Sequence, residues 1–217
     1  MAHEDCKVEL LETFGDDLTV VNAARVSFGK QVEEFTEKDE RLIKYLVNHD
    51  HVSPFFHPQI RFRLKMPIWM AREWYRHTIG FARNEVSRRY VDDAPTFHFP
   101  KEIRMRVENK KQGSGGLHTD NEFILSDMSE QVHRTLSRYM NYIENGVPPE
   151  QARMILPQNM MTEFIETASL AAYARLCKLR LGDDAQAEIR EVAKQVSGLL
   201  ETKFPVSWRY LMHSSSP

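Results

Sequence analysis

The stretch QIRFRLKMP, residues 59–67, sets Ile60, Phe62, Leu64 and Met66 in strict alternation with Arg61, Arg63 and Lys65. A period of two is the spacing of a strand with one face buried and the other in water. Whatever else this chain folds into, it must therefore build a sheet with an apolar side. Pro67 follows at once, and proline suits the first turn of a helix, where its missing N–H needs no partner. The segment PIWMAREWYRHT, residues 67–78, accordingly reads as a helix that leaves the sheet without a linker.

The remaining elements are arranged around that strand. KVELLETF (7–14) reads as a first strand, and DDLTVVNAARVSF (16–28) as a helix opened by an aspartate cap. In TEKDERLIKYLVNHD (36–50), Thr36 and Asp39 have the spacing of a capping box, and Leu42, Ile43, Leu46 and Val47 form one apolar stripe. ENKKQGSGGLHTDN (108–121) is rich in glycine and polar residues and reads as a mobile surface loop. Beyond it, 122–145, 149–181 with an interruption near Pro157, and 183–202 read as helices. With no internal repeat, the expectation is a single α+β domain over 1–217, a small antiparallel sheet with a helical majority.

Composition removes several classes of function. Twenty-nine basic residues face 31 acidic ones, a formal net charge of −2, which gives no broad basic surface for nucleic acid. No run of about 18 apolar residues occurs, and MAHEDCKVEL lacks the basic start and apolar core of a signal peptide. Cys6 and Cys177 are the only cysteines, too few for a disulfide scaffold. A cytoplasmic chain with no membrane and no nucleic-acid partner is expected.

Against that neutral balance, REWYRHTIGFARNEVSRRY (72–90) carries five arginines. Glu73, Arg76 and His77 have the i, i+3, i+4 spacing of one helical face, and Ser87, Arg88 and Arg89 follow the loop. Guanidinium forks with a serine hydroxyl and loop N–H groups suit a phosphate monoester. The competing reading is a solvated surface in which Glu73 pairs with Arg76 and Glu85 with Arg88 or Arg89. His49, His51 and His57 in HDHVSPFFH lack a well-spaced acid to complete a metal site, so no metal is expected. Cys177, in ARLCKLRL, reads as a buried thiol rather than a nucleophile. Arg180 on the same helix is either a surface ion pair or a partly desolvated guanidinium.

NAARVSF (22–28), HVSPFFH (51–57), RH…NEVSRRY (76–90), GVPPEQARMILP (146–157) and LRLGDDAQAEI (179–189), in that order, resemble the flavin-dependent thymidylate synthases, the thymidylate synthase X or complementing-protein fold. The likeness runs over roughly residues 15–190. It implies an α+β homotetramer with active sites between subunits, binding FAD, a pyrimidine mononucleotide and methylenetetrahydrofolate, with NADPH as reductant. The implied reaction is reductive methylation of C5 in dUMP or UMP without an enzyme cysteine. Carried over residue by residue, Arg76, Ser87, Arg88, Arg89 and Arg153 would hold the nucleotide, with Glu85 and Val86 lining the same loop. Arg180 would face the uracil as the catalytic residue. His77 and Ser53 match flavin contacts, and His51 a histidine where folate stacks; Arg76 and Glu85 also fall within the flavin grip.

The chain departs from the family pattern at several points. The usual Arg-His-Arg is Arg76, His77, Thr78, and the following loop is one residue longer. Arg83 is expected to return the missing guanidinium to the flavin. Phe56 stands where an acid is usual, and Ser169, Ala171 and Arg175 where Asn, Arg and Asn are common at the flavin pocket. Glu73 replaces a glutamine beside the nucleotide, which points to altered sugar preference, as in the family branch that methylates UMP for nucleoside antibiotics. Hydroxymethylation of the same carbon, a flavin-free nucleotide-binding protein and a nucleic-acid-binding module are the rival readings.

Overall fold

The structure, a computed structural model, describes residues 4–91, 93–108 and 114–213. In chain order the elements are β1 (Lys7–Phe14), α1 (Asp17–Arg25), α2 (Glu37–Asn48), β2 (Gln59–Pro67), α3 (Ile68–Trp74), β3 (Phe81–Glu85), β4 (Arg104–Arg106), β5 (Ser114–Leu117), α4 (Asn121–Glu144), α5 (Pro149–Ala152), β6 (Met161–Ser169), α6 (Leu170–Arg180), α7 (Ala187–Lys203) and α8 (Pro205–His213). Four strands form one sheet in the order β1-β2-β6-β3, and β4 pairs antiparallel with β5. The α+β architecture is as expected.

The chain divides into two compact units. One comprises Met1–Lys7, Leu64–Arg76 and Asn84–Phe164; the other comprises Val8–Arg63, His77–Arg83 and Ile165–Pro217. In the first, Phe97, Val132 and Met160 form a buried cluster flanked by Ile68, Phe99, Leu136 and Leu156. In the second, α6, α7 and α8 pack on one another and α8 also meets α1 and α2. Val20, Val21, Ile43, Leu176, Val196 and Trp208 are among its buried side chains.

Local chemistry accounts for the element ends. Asp16 caps α1 in a reciprocal box with Thr19, and Thr36 does the same for α2 with Asp39. Burial alone would raise the Asp39 pKa, but hydrogen bonds from Thr36 and the Arg25 guanidinium hold it below the usual value. Asp17 accepts from the Val206 and Ser207 amides at 2.9 and 2.8 Å, satisfying first-turn donors of α8.

Four expectations need correction. The segment 149–181 is not one interrupted helix: α5 ends at Ala152, and Met161–Ser169 is a strand placed between β2 and β3. Its inward positions include Thr162 and Glu166, so its alternation is not one of hydrophobicity. Helix α3 ends at Trp74, which puts Arg76 and His77 beyond it rather than on its face, and Phe81–Glu85, read as loop, is β3. In the glycine-rich stretch, Ser114–Leu117 is a strand paired with Arg104–Arg106, while 109–113 lie outside the described residues.

Candidate active site

The candidate residues fall in both units. In the first, the strand end and turn after β3 are tied to β6: Val86 N–H donates to the Glu163 carbonyl at 2.9 Å, and Thr162 Oγ1 donates to Glu85 Oε1 at 2.6 Å. Glu85 is thus bonded to Thr162, whereas Arg88 donates to the Asp93 carbonyl and carboxylate at 2.5 and 3.2 Å. The competing reading that paired Glu85 with Arg88 or Arg89 is therefore not what forms: Arg88 pairs with Asp93. Ser87 Oγ accepts from the Arg89 amide at 3.3 Å, and the Arg89 guanidinium lies 5.4 Å from the centre of the Tyr90 ring. Arg76 and Arg153 are exposed, and Arg153 Nε makes a long 3.4 Å bond to the Glu150 carbonyl. Glu73 lies on α3.

In the second unit, a connected set of polar side chains surrounds His77. Arg180 Nε donates to His77 Nε2 at 3.0 Å. A guanidinium only donates, so this imidazole nitrogen must carry a lone pair. Burial, then the charges of Arg180, Arg83 and Arg175, lower the His77 pKa to about 4, so the ring is neutral at pH 7. Arg83 is bonded to Glu166, which is fully buried, and its Nη1 donates to the His77 carbonyl at 2.6 Å. The guanidinium expected to grip flavin therefore has Glu166 and the His77 backbone as partners. Thr78 and Gly80 make the turn into β3: Phe81 N–H donates to the Thr78 carbonyl at 3.3 Å, and Gly80 sits at φ 82°. A Cβ at Gly80 would also come within 3.2 Å of Ala172 Cβ, so both conformation and space favour glycine.

A cavity of about 280 Å³ in the same unit is lined by Val52, Phe55, Phe56, Ala174, Arg175 and Lys178, among others. Arg175 Nη2 donates to the Ile79 carbonyl at 2.7 Å. Burial lowers the Lys178 pKa against the upward pull of Asp50. Its walls are largely apolar, with the cations Arg175 and Lys178 and the carboxylate of Asp50 at hand. Ser53 begins the short 3-10 turn Ser53–Phe56. His51 is exposed, edge-on to Tyr45 at 5.9 Å, and Tyr45 stacks on His49 at 4.0 Å. Ser169, expected at the flavin, is 3% exposed and caps α6 by accepting from the Ala172 amide at 3.2 Å. Cys177 is fully buried, and burial followed by the Glu166 charge pushes its pKa up, which fits an inert thiol. Among the described residues no group of three or more His, Cys, Asp or Glu is placed to hold a metal ion.

Sequence reasoning missed Glu166, Thr162 and Tyr173. Burial, together with the adjacent Glu166 charge, raises the Tyr173 pKa well above the ordinary phenol value. The available signal was the i, i+2 spacing of Thr162, Phe164, Glu166 and Ala168, a strand period written partly in polar residues.

Comparison with known proteins gives the family. The family model for thymidylate synthase complementing proteins matches residues 9–206. A flavin-dependent thymidylate synthase of Thermus thermophilus is 37% identical over 201 residues, 93% of this chain and 73% of that protein. Another, from Thermotoga neapolitana, is 36% identical over 203 residues, 94% of this chain and 88% of its own length. Among solved structures, the UMP/dUMP methylase PolB from Streptomyces cacaoi, bound with 5-Br dUMP, superposes with a TM-score of 0.88 at 26% identity, covering 96% of this chain and 95% of PolB. Its complex with 5-Br UMP gives 0.86 at 27% identity. The chain belongs to the thymidylate synthase complementing protein family, the flavin-dependent thymidylate synthases.

Among the described residues no helix is long and apolar enough to cross a membrane.

Proposed function

We propose that this chain reductively methylates C5 of a uridine 5′-monophosphate, dUMP or UMP, with methylenetetrahydrofolate as one-carbon donor, NADPH as reductant and FAD as cofactor, and that it works as a homotetramer. The observation that carries the reading is the bond from Arg180 Nε to a neutral His77, which holds in one plane the guanidinium that the family resemblance would set against the uracil ring.

On this reading a fixed cation beside the pyrimidine stabilises the negative charge that develops on the ring as C5 becomes nucleophilic. A guanidinium does so without any proton transfer. Arg76, Ser87, Arg88, Arg89 and Arg153 are assigned to the 5′-phosphate, with Glu85 and Val86 along the same turn. The apolar cavity beside Arg175 and Lys178 would hold the flavin, with Ser53, His51 and His77 as further contacts; when bound, the flavin supplies the redox chemistry that no side chain here provides.

The likeness to PolB, a UMP/dUMP methylase, supports both sugars. Glu73 is the residue of this chain proposed to tune that choice, its carboxylate accepting a hydrogen bond from a ribose hydroxyl. Incubating purified protein with methylenetetrahydrofolate, NADPH and either nucleotide, then weighing the product, tests the whole reading. A gain of one methyl group is expected; a hydroxymethyl product, or none from a yellow and folded protein, would overturn it. Glu73→Gln should move the UMP to dUMP turnover ratio, and an unchanged ratio removes Glu73 from the sugar site.

A further inference from the structure

We propose that the Arg83–Glu166 pair positions Arg180 for the reaction, acting through His77. This rests on the reading that Arg180 faces the pyrimidine.

The chain of contacts lies within one compact unit and can be followed atom by atom. Glu166 is on β6 with no exposed surface, and the Arg83 side chain on β3 is 13% exposed. The carboxylate fixes the guanidinium, whose Nη1 then donates to the His77 carbonyl at 2.6 Å. Held by its backbone, His77 turns Nε2 to accept from Arg180 Nε at 3.0 Å. The imidazole is thus the middle of a link between a buried ion pair and the proposed catalytic cation.

The physical case has two parts. First, a buried ion pair is a weak device for stability, because well-packed apolar residues of similar volume often serve as well or better. A charge on the inward face of a strand therefore asks for some further role. Second, an arginine side chain has several rotatable bonds, and a guanidinium that must lie against one edge of a pyrimidine gains from an acceptor at Nε that fixes its plane. His77 provides that acceptor, and Arg83 keeps His77 in place. Arg83 is thereby assigned a role in positioning rather than in holding flavin.

The test uses holoenzyme, as wild type and three variants. Arg83→Met with Glu166→Leu removes both charges and keeps an apolar pair of similar bulk. Arg83→Lys keeps a cation for Glu166 but lacks the fork that reaches the His77 carbonyl, and it serves if the double variant fails to fold. Arg180→Ala and wild type are run alongside. The double variant should keep its thermal midpoint near wild type while kcat falls roughly 10- to 100-fold, the scale expected for a misplacement of about 1 Å, with nucleotide KM little changed. Arg83→Lys should lose turnover in the same direction. In 15N-labelled protein, the His77 Nε2 resonance should be that of an unprotonated acceptor in wild type and should shift in both Arg83 variants.

A folded variant with wild-type kcat, or an unmoved Nε2 resonance, overturns the proposal while leaving Arg180→Ala inactive and the reaction intact. If Arg180→Ala turns over like wild type, the catalytic reading fails and the proposal falls with it. A pair with only a structural role would lower the thermal midpoint without splitting kcat from KM or moving the imidazole nitrogen.

Discussion

Strands β2 and β6 bury the same alternate positions, yet they fill them with different chemistry. In β2, Ile60, Phe62, Leu64 and Met66 are all fully buried; in β6, the corresponding inward positions are Thr162, Phe164, Glu166 and Ala168, none more than 4% exposed. Backbone geometry is indifferent to this contrast, because a strand presents every second side chain to one face whatever that side chain is. The consequence lies in energetics. The apolar face of β2 contributes by being removed from water, whereas β6 carries two polar groups that are tolerable only with partners, Glu85 for Thr162 and Arg83 for Glu166. The first strand is built for packing; the second holds residues that reach toward the proposed chemistry.

The sharpest way to test that contrast is to damage each face alike. Glu166→Leu leaves Arg83 partly buried without its carboxylate and should destabilise by about 3–5 kcal/mol, read as a lowered urea midpoint. Adding Arg83→Met should return most of that loss, which no second substitution on β2 can do. Phe62→Ala opens a cavity beside Tyr173, whose ring centre is 5.3 Å away, and should cost about 3–4 kcal/mol. Its turnover per folded molecule should stay near wild type, because β2 holds no group of the proposed site. Full turnover from Glu166→Leu together with lost turnover from Phe62→Ala would reverse the comparison.

Smaller effects refine it. Thr162→Val keeps the shape of the side chain but deletes the 2.6 Å bond to Glu85, for about 1 kcal/mol. The network anchored by Glu166 also has a pH signature that β2 lacks. Folded His77 takes a proton only near pH 4, against 6.5 for an unconstrained imidazole. The unfolded chain therefore binds more protons between those values, and stability should fall as pH drops from 6.5 toward 4, with no such contribution above 6.5. His77→Gln, which retains an acceptor for Arg180, should flatten that segment of the urea-midpoint profile. Least of all, Arg61→Ala removes an exposed ion pair with Glu12 at 2.9 Å and should change stability by less than about 1 kcal/mol.

The same comparison explains what could be read from the sequence. β2, the aspartate cap of α1, the Thr36–Asp39 capping box and the buried state of Cys177 were legible because each is written in side-chain type and spacing. β6 and β3 were not, since the residues that make them strands, Glu166 and Arg83, are charged and become interior only through each other. A pairing across 83 positions of sequence cannot be read from either segment alone, and it is what turns the partly polar period of β6 into a buried face. For the site, Arg180 and His77 stand out by residue type, but their bond does not, and neither does the pairing of Arg83 with Glu166. The competing reading sets Glu85 beside Arg88 or Arg89, whereas it is bonded to Thr162, on a strand whose sequence reads as helix.

The central claim is that a guanidinium steadied by a neutral histidine drives substitution at C5 of a uridylate. Release of tritium from C5-labelled dUMP and UMP, in the presence of methylenetetrahydrofolate and NADPH, measures it directly. Wild type should release label, and folded Arg180→Ala that still binds flavin should release almost none; equal release by the two proteins would contradict the account.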